Sequence, residues 1–321
     1  MDFPDPHYIS HDGLSLATYA LGPQDGPPIL LVHGWPELAY SWKNTMGPLA
    51  EAGYRVIAYD LRGFGQSSAP KDGPSNGARH YGIANQVSDL EAVMDAYGID
   101  RAVICGHDWG GIIVWHAARM LEARVSGVIS ICTPHVGQSP VDPIQIFKKR
   151  HGDEHYFAHF TERPGVADAL FARDPDAFFR LMFRTTPKGS TPKPGQASIP
   201  QKFKAFLDAG APDLKGKILT DADHAVYVNA YAQSGFHGGI GLYRNSSANW
   251  ELTRGLNQSV RQPCLMLCPE DDVFLPPNFS DGMEALVPDL TRVIIPDCGH
   301  WAMWEQSGAI NRAILAWLET A

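Results

Sequence analysis

The sequence predicts an α/β protein: an open, mostly parallel sheet with helices on both faces, interrupted by a mainly helical insertion. Three observations predict it. Residues 28–32 form a short, continuously apolar run, as a central parallel strand buried on both faces requires, and 125–132 read as a further strand. Such runs alternate with stretches of helical spacing, the order that winds into a doubly covered sheet. At Thr133-Pro134 the alternation stops, and strand-like runs return only at residues 264–268 and 291–295.

In chain order, residues 7–10 and 14–20 alternate apolar and polar around Asp12-Gly13, the signature of a hairpin. The buried run 28–32 ends in His33-Gly34-Trp35-Pro36-Glu37. Residues 41–52 carry helical spacing, with Gly53 following as the stop. Another buried strand, 54–58, leads to Asp60-Leu61-Arg62-Gly63-Phe64-Gly65-Gln66-Ser67. The Gly-x-Gly there lacks the third glycine of a dinucleotide fingerprint. An amphipathic helix over 81–97 precedes the strand 103–105 and an all-apolar helix over 112–118. From about 136 to 245 no run reads as a buried strand. Aromatics, prolines and short helical patterns dominate, clearest at 174–183 and 221–234, with a loop over 188–200. A helix over 306–318 closes the chain. The expected division is core 1–135, cap insertion 136–245 and core 246–321.

The chemistry centres on Ile104-Cys105-Gly106-His107-Asp108-Trp109-Gly110-Gly111. A strand must turn into a helix within a few residues, and the glycines permit the close approach that a Cβ would block. Such an elbow pushes one side chain out above the sheet. Here that residue is Asp108 rather than Ser or Cys. An ionised carboxylate needs no base before it attacks an electrophilic sp³ carbon, and the product is an alkyl ester.

Hydrolysing that ester needs a base to activate water, an acid to orient the base, and an oxyanion site. His300 follows the last strand in Pro296-Asp297-Cys298-Gly299-His300-Trp301, a setting that none of the other 12 histidines shares. The acid is expected after the strand 264–268, where Glu270, Asp271 and Asp272 compete. An elbow of this kind takes its oxyanion N–H groups from the residue after the nucleophile and from the loop after an early strand. Those are Trp109 and Trp35; His33 is expected to brace the loop.

Composition narrows the partners. The 321 residues carry a net charge of −9 with no Lys/Arg run, which argues against nucleic acid. No apolar stretch approaches the roughly 20 residues of a membrane span, and the start lacks a secretory pattern. Five cysteines, mostly in apolar strand-like segments, read as buried thiols of a reducing compartment, hence a cytoplasmic location. No metal or other cofactor is expected, and the molecule is expected to act as a monomer or homodimer.

The chain resembles the epoxide hydrolases of the α/β-hydrolase superfamily, the soluble type. The resemblance rests on His33-Gly34-Trp35-Pro36-Glu37, residues 60–67, Gly106-His107-Asp108-Trp109-Gly110-Gly111 and Asp297-Cys298-Gly299-His300-Trp301, with 156–167 and 234–245 in the insertion. It implies hydrolysis of an epoxide to a vicinal diol. It favours Asp272 over Asp271 as the acid, although Pro269 stands where the family pattern more often has Gly. It also implies that two cap tyrosines, Tyr156 and Tyr243, donate to the epoxide oxygen. Thr161-Glu162-Arg163-Pro164-Gly165 is one residue longer than the usual pattern near Tyr156. A phenol with an ordinary pKa near 10 stays protonated at neutral pH and suits an alkoxide leaving group.

Two other activities use the same nucleophile. A haloalkane dehalogenase needs N–H donors for a departing halide, one commonly a side chain in the loop after His-Gly, where this chain has Trp35, which could donate. A haloacid dehalogenase needs basic side chains near the elbow, where this chain has Trp109 and Ile112. A non-catalytic binding protein on this fold would be expected to have lost a member of the Asp108, Asp272, His300 set.

Overall fold

The structure, a computed structural model, describes residues 3–71, 77–190 and 198–320. Eight strands form one sheet: β1 (His7–His11), β2 (Leu14–Leu21), β3 (Pro28–Val32), β4 (Arg55–Tyr59), β5 (Ala102–His107), β6 (Val125–Ile131), β7 (Cys264–Pro269) and β8 (Leu290–Ile295). Their spatial order is β1-β2-β4-β3-β5-β6-β7-β8. Only the hairpin is antiparallel: β1 pairs β2, and β2 pairs β4, in that sense. Asp12 and Gly13 at the turn have φ of 52° and 72°, which a two-residue hairpin twisted to match its strands requires. The other strands run parallel from β4 to β8.

Two apolar layers sandwich the sheet. On one face α1 (Lys43–Glu51) and the C-terminal helices α12 (Ala302–Glu305) and α13 (Ser307–Leu318) bury Met46, Leu49, Met303, Ile310 and Ile314 against Ile29, Leu31, Cys105 and Ile129. On the other, α2 (Ile83–Ala96) and α3 (Trp109–Met120) bury Val87, Leu90, Ile113 and Val114 against Leu30, Val32 and Ile104. Ile29 to Val32 are completely buried. Each such side chain contributes roughly 1.5–3 kcal/mol by leaving water, which explains why alternation is absent from these strands.

Between β6 and β7 the described residues form eight helices: α4 (Pro143–His151), α5 (Tyr156–Glu162), α6 (Val166–Phe171), α7 (Pro175–Met182), α8 (Ile199–Asp208), α9 (Asp221–Ser234), α10 (His237–Arg244) and α11 (Ser246–Leu252). The 221–234 helix matches the expectation, and 174–183 shortens by one residue at each end. The only β pairing within the insert's described residues is an isolated bridge between Arg184 and Lys217. The loop expected over 188–200 needs correction at its end. Ile199 and Pro200 open α8, where Gln201 Oε1 accepts from the Ser198 N–H at 2.9 Å, one half of a capping box. Residues 191–197 of that loop lie outside the described residues. The helix expected from Ser41 begins at Lys43, after a 3₁₀ turn over Ala39–Trp42.

The insert is stitched to the core by polar bonds. Asn249 Oδ1 accepts from the Ile83 N–H at 2.8 Å and so caps α2. The Tyr227 hydroxyl meets Ser41 Oγ at 2.6 Å, and the Trp301 indole N–H donates to Met182 O at 2.8 Å. These bonds fix the insert over the C-terminal ends of the parallel strands.

Candidate active site

The elbow is built by exclusion of side chains. An added Cβ at Gly106 would lie 2.2 Å from the Gly110 carbonyl oxygen, and one at Gly110 would lie 2.0 Å from Val32 O. Only glycines let β5, α3 and the end of β3 approach this closely. Asp108 caps α3 in a positive-φ conformation, φ 51° and ψ −116°. A non-glycine residue is strained there, and such strain clusters at functional positions. The Thr133 hydroxyl donates to Asp108 O at 2.7 Å and helps to hold the turn.

The two oxygens of Asp108 have different surroundings. Oδ1 accepts from the Trp35 N–H at 2.8 Å, and the Trp109 N–H also bonds the carboxylate. Oδ2 stands 3.8 Å from His300 Nε2. The other ring nitrogen, Nδ1, meets Asp272 Oδ2 at 2.8 Å. Asp272 Oδ1 is saturated by the N–H groups of Phe274 (2.8 Å) and Leu275 (3.0 Å). Asp271 instead accepts from the Gly189 N–H at 3.1 Å, so Asp272 is the carboxylate joined to His300.

Burial alone would lower the His300 pKa. The Asp272 charge and hydrogen bond, followed by Asp108 and Glu37, outweigh it and push His300 up to about 9. Burial also works to raise Asp272, but the His300 charge and hydrogen bond hold it below its ordinary range. Burial raises Asp108, against the pull of His300, His107 and the two backbone N–H groups. An unfolded histidine titrates near 6.5. The protonated His300 ring therefore contributes stability that is complete below pH 6.5 and lost as pH rises through about 9. The melting temperature should fall across that window, with a full loss of roughly 3 kcal/mol. Thermal unfolding followed by calorimetry at stepped pH checks it, and a His300→Gln variant should not show the fall.

The insert closes the site from above. Tyr156 opens α5 and Tyr243 lies near the end of α10. Their rings meet edge to face, with centroids 5.5 Å apart. Tyr243 also packs on Trp109 at 4.9 Å and on Trp35 at 5.5 Å. Burial, then the Asp108 charge, pushes both phenols well above 10. Gly239 explains a glycine inside α10: a Cβ there would sit 1.9 Å from Trp35 Cδ1. The seven residues singled out from sequence thus surround one cavity of about 120 Å³; Asp272 stands behind His300 and the other six line it, with Ile112, Phe147 and Phe274 among the apolar walls.

Sequence reasoning missed a buried pair beneath the nucleophile. His107 Nδ1 meets Glu37 Oε2 at 2.6 Å, and His107 Nε2 meets the His300 carbonyl at 2.9 Å. Glu37 also accepts from the Gly34 N–H at 3.1 Å. One carboxylate thereby ties the oxyanion loop to the His300 loop. The signal was present in both motifs, but neither Glu37 nor His107 has a partner that spacing alone could reveal. His33 braces its loop, accepting the Leu61 N–H at 3.0 Å. One group of potential metal ligands among the described residues is His107, Cys132 and His300. Both ring nitrogens of His107 and Nδ1 of His300 already have partners.

A family model described as the alpha/beta hydrolase fold matches residues 27–307. Epoxide hydrolase A of Mycobacterium tuberculosis is 32% identical over 99% of this chain and 98% of its own length. Bifunctional epoxide hydrolase 2 of Sus scrofa is 33% identical over 98% of this chain, but the match spans only 56% of that longer protein. Among solved structures, epoxide hydrolase A from Mycobacterium thermoresistibile superposes with a TM-score of 0.86, at 30% identity over 99% of this chain and 98% of that one. Potato epoxide hydrolase I gives 0.83 at 27% identity, covering 99% of each chain. Sequence and architecture agree over the whole length, and the chain belongs to the epoxide hydrolases of the alpha/beta hydrolase fold, hydrolases that act on ether bonds.

Proposed function

We propose that the protein opens an epoxide to a vicinal diol through an alkyl ester on Asp108. The observation that carries this reading is the asymmetry of the Asp108 carboxylate. Oδ1 is held by backbone N–H groups, while Oδ2 faces His300 across a cavity roofed by two phenols. Oδ2 attacks one oxirane carbon, the C–O bond breaks, and the oxygen becomes an alkoxide hydrogen-bonded by Tyr156 and Tyr243. Esterification removes the Asp108 charge, which had helped to raise both phenols and His300. Each phenol becomes a better acid as the alkoxide forms, and His300 becomes easier to deprotonate as a base is needed. Neutral His300, oriented by Asp272, then takes a proton from water. The hydroxide adds to the ester carbon, and Oδ1 carries the developing charge against the Trp35 and Trp109 N–H groups. The diol leaves with Oδ2. The oxygen freed from the ring keeps the proton donated by its phenol. His300 passes the proton it took from water to the departing Oδ2, and the proton of the added hydroxide, left on the Asp108 acid, restores the phenol.

All these groups come from one chain, so the reaction needs no second copy, whether the protein is a monomer or a homodimer. We take residues 136–245 as the cap over a core of 1–135 and 246–321. The five cysteines are unpaired and buried, which supports a cytoplasmic setting. The dehalogenase reading has less support. The Trp109 side chain is packed against Tyr243, and the Trp35 indole N–H is buried with Gly239 packed beside it.

Single turnover in ¹⁸O-water tests the route. The first diol should carry an unlabelled oxygen from Asp108, and the label should appear in the Asp108 peptide. A first-turnover diol whose new oxygen comes wholly from solvent would exclude the ester.

The tyrosines give a second expectation. Either can hold the oxygen alone, so Tyr156→Phe or Tyr243→Phe should slow ring opening by roughly 10–10²-fold, less than the 10²–10⁴ of a sole general acid. The double variant should lose more, and not additively, because both act on one atom. Pre-steady-state kinetics should place the loss in alkylation and leave ester hydrolysis untouched.

A further inference from the structure

The His300 ring can act only where its backbone presents it. That backbone is the loop between β8 and α12, which turns at Asp297 with φ 50°. Asp272 holds the ring at Nδ1, and His107 Nε2 meets the His300 carbonyl. The peptide N–H groups on either side of His300 belong to Gly299 and Trp301, and one side chain takes both. Glu305 Oε2 accepts from the Gly299 N–H at 3.1 Å, and Glu305 Oε1 accepts from the Trp301 N–H at 3.0 Å.

Two donors placed across a residue need two acceptor oxygens, and an ionised carboxylate offers them with the added strength of its charge. Glu305 ends α12, so its side chain folds back onto the loop that precedes the helix. The fit leaves no room at Gly299. A Cβ there would lie 2.9 and 3.0 Å from the Glu305 oxygens and 3.2 Å from Thr186 Oγ1. The entry to the loop is anchored separately: the Asp271 N–H donates to Cys298 O at 2.8 Å, and Gln306 Nε2 donates to Asp297 O at 3.1 Å. Loss of Glu305 therefore frees the peptides at His300 while the rest of the loop keeps its course.

The charged groups facing Glu305 are His300 and Asp272, with the Cys298 thiol beside it. On the elements packed against α12, Tyr40 and Lys43 turn to Asp223, and Arg312 is exposed. Burial raises the Glu305 pKa against the two N–H groups and the His300 charge, and Asp272 adds to the rise. As pH falls, the carboxylate takes a proton and loses an acceptor.

We propose that Glu305 is a positioning residue for ester hydrolysis: its carboxylate clamps both peptides that flank His300 and so aims the ring at the water that cleaves the Asp108 ester. The proposal rests on the ester reading above. Glu305 touches no reacting atom, and ring opening, which does not use the His300 ring, proceeds without it.

Rapid-quench kinetics on the full chain test the clamp. Glu305→Gln keeps the size but one acceptor oxygen, and its amide nitrogen confronts the second N–H. Ring opening should stay within about 2-fold of wild type while ester hydrolysis slows by roughly 10–10²-fold, the cost of a catalytic group displaced by about 1 Å. Glu305→Asp keeps both oxygens on a shorter arm and should recover most of that loss; it also carries the test if the glutamine variant does not fold. A pH jump adds a readout that loss of packing would not move. Ester formed near neutral pH and moved to acid should hydrolyse in the wild type with a fall steeper than one proton explains, because His300 and Glu305 must both be deprotonated. In Glu305→Gln the fall should follow one proton. Both steps slowed equally, hydrolysis unchanged, or the same acid limb in wild type and Glu305→Gln would overturn the clamp alone. No ester in either the wild type or His300→Gln would overturn the ester reading instead.

Discussion

A His300→Gln variant should become covalently loaded when mixed with an epoxide and stay that way. Intact-protein mass spectrometry should show one added substrate mass per chain, because ring opening adds every atom of the epoxide and expels none. Asp108 needs no base to attack, and its Trp35 and Trp109 contacts do not involve the His300 ring. Hydrolysis does need that ring. Glutamine lacks a titratable nitrogen to take the proton of water, so steady turnover should fall by roughly 10⁴-fold, the upper range for a positioned base. The variant should fold, though less stably, since Asp272 keeps its bonds from Phe274 and Leu275 but loses its charged partner. Finding the variant unmodified after prolonged exposure to a substrate that the wild type consumes would overturn the assignment of His300 to the second step.

Asp108→Ala should show the opposite failure. Nothing can attack carbon, so no adduct should form and turnover should drop to the uncatalysed background. The loss should exceed that of His300→Gln, because both chemical steps disappear. Circular dichroism should report an intact fold, because the elbow is held by Gly106, Gly110 and the bond from Thr133 to the main chain rather than by the carboxylate. Diol formation by this variant above background would mean that His300 delivers water directly to the ring.

How far sequence foretold structure follows from what holds each part together. The core strands were legible because strands such as Ile29 to Val32 are buried on both faces, and that demand is written as an unbroken apolar run. Asp108 was legible because its turn tolerates only glycine at 106 and 110. The insert was legible mainly as an absence of strands. Its helices are short, and isolated helices of such length are marginal. They are held by ring packing, such as Phe178 against Phe203 and Phe236 at 5.4 and 4.8 Å, which no local period records. α10 is the clearest case. Three glycines in eight residues speak against a helix, yet Gly239 is where the Trp35 ring passes. Tyr243 could therefore be placed only through its flanking motif. The start of α8 is a different kind of miss: Ser198, Pro200 and Gln201 carry a legible cap signal, but the prolines before them read as loop. The Glu37–His107 pair joins residues 70 positions apart, beyond the reach of any spacing rule.

The placement of two indoles beside Asp108 has an optical consequence. Trp35 and Trp109 flank the carboxylate whose charge disappears when the ester forms and returns when it is cleaved. Indole emission responds to nearby charge, so each half of the cycle should write its own signal in the protein's intrinsic fluorescence. A rapid-mixing trace on unlabelled protein and unlabelled epoxide should then show a fast change and a slower recovery, while His300→Gln should show the first phase and hold there. The molecule carries its own reporter at the reacting atom, and the two steps can be timed without a chromogenic substrate.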